Sequence, residues 1–206
     1  DPQAITLAEF RKTLYGNHPY GRTMPTEKMI EGYTPGQVRD FHAANFGGAR
    51  THLFIAGVFD QSAVEEAARV GFADWARGPD PTIRVPAVQP RRLVQILDRP
   101  GAKQSTIYLG LPVIDPSKPE WVPLVVTNAL LGGAFASRIT ANIREEKGYT
   151  YSPRSVLSTR YRDGYWLEMA DVSTDVTGAA LKEILSEIDL LSHTPPPPAE
   201  LKGIQN

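Results

Sequence analysis

The sequence predicts an α+β fold, and two observations carry that reading. Apolar side chains recur at helical spacing in several segments, most clearly Leu181, Ile184, Leu185, Ile188 and Leu191 within Thr177 to Leu191. Extended runs at Ser155 to Arg160 and Tyr165 to Val172 flank Asp163-Gly164, a strong signal for a hairpin turn.

Along the chain, Ile5 to Leu14 reads as the end of a helix leading into His18-Pro19-Tyr20-Gly21. Pro19 restricts His18 to extended geometry, so this loop reads as a rigid turn and not as a source of catalysis. The next helix is marked by Thr34 as N-cap, Pro35 at the first helical position and Gln37 three residues on, a capping box. Val38, Phe41 and His42 supply one of its faces, and Gly47-Gly48 stop it. His42 has no second ligand at metal-binding spacing and reads as a packed residue. His52 to Val58 is a continuous apolar run of the buried-strand type. Asp60 then caps a helix with Val64, Ala67, Ala68, Phe72 and Trp75 on one side. Pro79, Pro81, Pro86 and Pro90 interrupt regular structure, and the domain boundary is placed there, giving 1–78, a linker at 79–90, and 91–206.

Beyond the linker, Leu93 to Leu97 and Thr106 to Leu111 read as strands. Ser117 and Glu120 form a second capping-box pattern before Val122 to Leu131, a helix apolar nearly all round and therefore expected to be sandwiched in the core.

Composition limits the possible functions. The chain has 206 residues, 41% hydrophobic and 22% charged, enough to bury a core in one large or two small domains. A net charge of −1 without any Lys/Arg block argues against nucleic acid as a partner. No apolar run approaches the roughly 18 residues of a membrane span. Cysteine is absent, which removes disulfides and thiolate ligands and leaves the compartment open. Asp1-Pro2-Gln3 carries neither Met nor a signal-peptide pattern, and Ala199-Glu200-Leu201-Lys202 opens a helix close to the last residue. These ends read as an excised segment, for which uncovered strand edges and helix faces predict self-association.

The most informative stretch runs from Leu131-Gly132-Gly133 through Ser137-Arg138 to Arg144 and Tyr151. At about 100° per residue, Ser137, Thr140 and Arg144 share a polar stripe away from Ile139 and Ile143. Gly148 can end the helix in a left-handed conformation. The chain then reverses and brings Tyr151 back towards Arg144. Glu145 and Glu146 are adjacent on a helix and do not face one another, so they read as a solvated face. Gly132-Gly133 lacks the Lys and Ser/Thr of a phosphate loop and reads as helix punctuation.

This stretch resembles the second, inactive domain of the pitrilysin/insulinase zinc metallopeptidases, which include the mitochondrial processing peptidases. The resemblance extends to His18-Pro19-Tyr20-Gly21-Arg22, to Thr34 through Phe46 with the following strand, and to Glu200-Leu201. It implies an antiparallel-rich sheet with helices packed on one face. Residues 1–78 would be the C-terminal part of a catalytic-type domain and 91–206 most of the inactive one. It implies that Arg144 and Tyr151 bind the peptide or unfolded protein being cleaved, Arg through its donors to carbonyls and Tyr by supporting an oxyanion. The family's H-x-x-E-H motif is absent: none of the four histidines, His18, His42, His52 and His193, has Glu three and His four places on. Zinc is therefore expected in the parent protein or a partner subunit, none is expected to be bound by this segment, and no catalytic side chain is assigned. The resemblance points to the substrate-binding part of a zinc metalloendopeptidase. The alternatives are a non-catalytic subunit beside a zinc-bearing partner, or a protein-binding scaffold for which Arg144 and Tyr151 have no role.

Overall fold

The segment Tyr165-Trp166-Leu167-Glu168-Met169-Ala170 holds one charged side chain among apolar neighbours, as expected of a strand covered on both sides. In the computed structural model, which describes residues 1–22, 24–88 and 91–205, it forms the middle of a three-stranded antiparallel sheet. Strand β1 (Gln104–Val113) and strand β2 (Arg154–Arg160) both pair with the central strand β3 (Asp163–Ser173). The α+β class holds. Two units make up the chain, Asp1–Thr23 with Val85–Asn206, and Met24–Arg84. Residues 79–88 form neither helix nor strand, and Pro90 of the expected linker lies outside the described residues.

In the first unit the alternation of β3 sorts its side chains between two cores. Trp166, Ala170 and Val172 pack with Leu131, Ile139, Ile143, Ala180 and Ile184. Ala180 and Ile184 come from helix α6 (Thr177–His193), the amphipathic helix expected from the sequence. Tyr165 and Leu167 point the other way, against Tyr15, Phe10 and Leu14 of helix α1 (Pro2–Tyr15). The sheet thus has helical cover on its second face too.

A hairpin joins β2 to β3, but its turn is Tyr161-Arg162, because Arg160 pairs with Asp163 and Gly164 with Thr159. Arg162 takes the positive φ of 55°. Asp163 is drawn into the sheet by the Tyr15 hydroxyl, which donates to its carboxylate, and this moves the turn ahead of the Asp-Gly pair.

Leu93 to Leu97 is not a strand. Val94 and Ile96 face water, while Gln95 accepts from the Thr13 hydroxyl at 3.0 Å and donates to Glu9 at 3.3 Å. Side-chain bonds to α1 hold the segment where a backbone ladder was expected. The Ser117/Glu120 capping box does not form either: the Ser117 amide donates to Asp115 at 3.0 Å, and helix α5 (Trp121–Asn128) starts without a side-chain cap. Nor is α5 sandwiched, since Val122 and Val125 are exposed and burial begins only at Leu130 and Leu131. Uniform apolarity does not reveal which faces the neighbours cover.

The last helix, which we call α7 (Pro198–Gln205), is tied down by a forked ion pair. Arg138 donates through Nε and Nη2 to the two oxygens of Glu200, both at 2.8 Å. This pairing raises the Arg138 pKa and lowers that of Glu200. Glu200→Ala leaves a mostly buried guanidinium without its carboxylate and is expected to lower stability by about 1 to 3 kcal/mol. Denaturant unfolding of the two proteins checks it, and an unchanged midpoint would show that the fork contributes nothing.

The second unit contains helices α2 (Glu27–Glu31), α3 (Pro35–Asn45) and α4 (Gln61–Gly71). The predicted capping box is present: Thr34 Oγ1 accepts from the Gln37 amide at 3.3 Å, and Gln37 Oε1 accepts from the Thr34 amide at 2.8 Å. Asp60 caps α4 by accepting from the Ala63 amide at 2.8 Å. His42 stacks on Phe46 with centroids 4.8 Å apart. The expected strand at His52 to Val58 does not form. Phe54 is 89% exposed, and no strand among the described residues pairs with this run. An extended apolar run becomes a strand only where a neighbour takes up its backbone groups.

Candidate functional site

Arg144 lies in a π-helix, Thr140–Glu146, that follows a shorter π-helical segment, Ala129–Gly133. The wider winding shows in the bonds that leave each segment, Ala134 N–H to Ala129 O at 3.0 Å and Lys147 N–H to Asn142 O at 3.0 Å. Ile139 and Ile143 are fully buried. The polar stripe expected from regular helical spacing is split: Ser137 and Thr140 are buried, the Ser137 hydroxyl donating to Thr140 at 2.9 Å, and only Arg144 turns outwards.

Gly148 ends the helix in the left-handed conformation, φ 65°, as the sequence implied. Its amide bonds Arg144 O at 3.2 Å and the Tyr149 amide bonds Ile143 O at 2.8 Å. Tyr149 then packs against the core, and Thr150 bridges to Val172 while its hydroxyl donates to Asp171 O at 2.7 Å. With those residues anchored, Tyr151 is presented to solvent, 81% exposed.

The structure brings the two sequence-predicted residues together. The Arg144 Cζ stands 5.1 Å from the centroid of the Tyr151 ring, and its Nε lies 3.1 Å from Glu145 Oε1. A second ring, Phe135, lies 4.7 Å from the same Cζ and is 74% exposed. Sequence reasoning missed Phe135, whose place depends on a tight turn in which the Ser137 amide bonds Ala134 O at 3.1 Å. An outward guanidinium over two aromatic faces can donate to backbone carbonyls of an extended chain, and a phenol beside it can donate to a developing negative charge.

Beneath the Gly132-Gly133 segment lies a further group that the sequence reading left aside. Glu168 on β3 has 0% exposure, and neither carboxylate oxygen has a hydrogen-bond partner among the described residues. A Cβ on Gly132 would stand 2.6 Å from Glu168 Oε2 and 2.7 Å from Ser155 Oγ, so only glycine fits there. The Ser155 hydroxyl donates to Asn128 Oδ1 at 2.8 Å, which also accepts from Trp166 Nε1 at 2.9 Å. Burial is the larger influence and pushes the Glu168 pKa up to about 8. The signal was visible in the sequence as one Glu in the otherwise apolar run Tyr165 to Ala170.

A sequence model described as the peptidase M16 inactive domain matches residues 32–206. The chain belongs to the peptidase M16 inactive-domain family. A crystal structure of an M16 inactive domain from Pseudomonas fluorescens superposes with a TM-score of 0.92 at 25% identity, over 99% of this chain and 50% of that one. A protease from Helicobacter pylori shares the fold, with a TM-score of 0.78 at 18% identity over 98% of this chain and 55% of its own. Among curated relatives, an uncharacterized zinc protease of Bacillus subtilis is 25% identical over 163 residues, 79% of this chain and 39% of that protein. Another from Mycobacterium leprae is 26% identical over 198 residues, 91% of this chain and 43% of its own. The chain spans about two fifths of the length of these relatives.

The relatives are named zinc proteases, yet the described part of this M16 inactive domain offers no group of three or more His, Cys, Asp or Glu side chains able to hold a metal. The residues present do not suit zinc, which takes three or four convergent nitrogen, sulfur or carboxylate donors. The purified chain is therefore expected to retain no stoichiometric zinc after extensive dialysis. Elemental analysis checks this, and one zinc per chain would overturn it.

Proposed function

We propose that this chain is the part of a zinc metalloendopeptidase that binds an extended peptide or unfolded protein substrate against a zinc site located elsewhere, in the remainder of the peptidase or on a zinc-bearing subunit. In this reading residues 1–78 derive from the C-terminal part of the catalytic-type domain, residues 79–90 link the two, and residues 91–206 form most of the inactive, substrate-binding domain. One observation carries it: Arg144 and Tyr151 meet at the surface, with the guanidinium 5.1 Å from the ring centroid. Membership of the M16 inactive-domain family and relatives named as zinc proteases support the peptidase context. Arg144 would hold substrate carbonyls and the Tyr151 hydroxyl would donate to the oxyanion that develops during cleavage. The apolar side chains that the second unit leaves exposed, Phe54 and Val58 among them, support a further contact with other protein, whether the rest of the peptidase or a second copy.

Titration of the chain with a short, uncharged, unstructured peptide, followed by NMR, tests this function. The Arg144 Nε–H and Tyr151 ring signals are expected to move together and saturably, and Arg144→Ala is expected to abolish the Tyr151 response. Binding that leaves both signals in place, or that survives in Arg144→Ala, would remove the substrate-binding role and favour a scaffold.

A further inference from the structure

We propose that Phe135 is a positioning residue that fixes the Arg144 guanidinium for recognition of a peptide carbonyl. The inference rests on the substrate-binding role of Arg144 given above and adds the group that prepares it.

Packing does not explain where Phe135 stands. Its ring is 74% exposed, although a phenyl side chain gains by leaving water. Its notable contact is the one with Arg144, 4.7 Å from ring centroid to Cζ. The backbone that presents it is held by hydrogen bonds: the Ala134 amide bonds Ala129 O at 3.0 Å, and the Ser137 amide bonds Ala134 O at 3.1 Å. The ring is therefore carried on a fixed turn, between a π-helical segment and the next helix. A free Arg side chain samples many rotamers and loses that freedom when it grips a ligand. Two ring faces, at 4.7 Å and 5.1 Å, together with Glu145 Oε1 at 3.1 Å from Nε, restrict the guanidinium before any peptide arrives. The attraction comes from the electron-rich face of the ring, so an aliphatic side chain of similar size cannot replace it.

The test compares Phe135→Leu, Phe135→Trp and Arg144→Ala in the full chain, with the same uncharged peptide as probe. Phe135→Leu is expected to keep the thermal midpoint, weaken peptide binding roughly threefold to tenfold, and move the Arg144 Nε–H resonance to the position of a free arginine. Phe135→Trp is expected to restore both affinity and resonance, which a merely structural role would not require. A Leu variant that binds as tightly as the parent, or an Arg144 resonance that does not move, overturns the inference while leaving the substrate-binding role intact. If Arg144→Ala itself binds normally, the substrate-binding role fails, and the positioning role falls with it. Lost folding in Phe135→Leu would show that the ring serves packing and would also overturn the inference.

Discussion

If Arg144 binds substrate as proposed, removing its side chain from the proposed zinc-bearing assembly is expected to cost about 2 to 4 kcal/mol of transition-state stabilisation, read as kcat/KM. Tyr151→Phe is expected to cost an amount in the same range while keeping the ring that lies 5.1 Å from Arg144 Cζ. The second substitution therefore separates the hydroxyl from the stacking. Thermal stability is expected to stay within about 0.5 kcal/mol for Tyr151→Phe, because a residue 81% exposed has little packing to lose. Near-native turnover in both variants would end the substrate-binding proposal. Loss of folding would instead assign the pair to architecture.

The second large effect is on stability against pH. In the folded chain Glu168 keeps its proton to a pKa of about 8, whereas the ordinary carboxyl value is 4.5. Unfolding within that window releases a proton. Glu168 therefore costs nothing below the ordinary value, and stability falls by about 1.4 kcal/mol per pH unit as pH rises through the window, then levels off above the folded pKa. Glu168→Gln has no proton to release, so its stability relative to the parent is expected to rise with pH across the same interval. Urea unfolding of both proteins at a series of pH values gives the difference directly. A flat difference would show that the carboxylate is ionised inside the fold.

Much of this architecture could be read from local chemistry. Thr34, Pro35 and Gln37 specify a helix start within a few residues, and the start is where they place it. Gly148 marks a left-handed stop because few other residues accept that conformation, and the reversal it allows is what brings Tyr151 to Arg144. What depends on distant partners was not legible. His52 to Val58 and Leu93 to Leu97 have strand composition, but composition does not supply a neighbouring strand. The Asp163-Gly164 turn moved because the Tyr15 hydroxyl, far away in sequence, claims Asp163. The π winding at Ala129–Gly133 and Thr140–Glu146 leaves no periodic mark strong enough to distinguish it from regular helix, so the burial of Ser137 and Thr140 and the approach of Phe135 were hidden. The candidate pair was thus visible in the sequence, and the ring that completes its surroundings was not.

The wide winding of Thr140–Glu146 also bears on how this region can change in length. A π turn holds an extra residue relative to regular helix. Deleting one residue between Ile139 and Arg144 would let the backbone relax to ordinary geometry with its hydrogen bonding intact, whereas the same deletion in a regular helix turns everything beyond it by about 100°. Here the deletion removes the extra residue that the wide turn holds, so the residues beyond it keep about the same bearing relative to the buried face set by Ile139. Arg144 would stay beside both rings, and Gly148 would begin its reversal in the same direction. Insertions and deletions are usually tolerated in loops and resisted in helices packed on a core, yet here the extra residue of the wide turn is one that a deletion can remove without moving the partly exposed arginine beyond it.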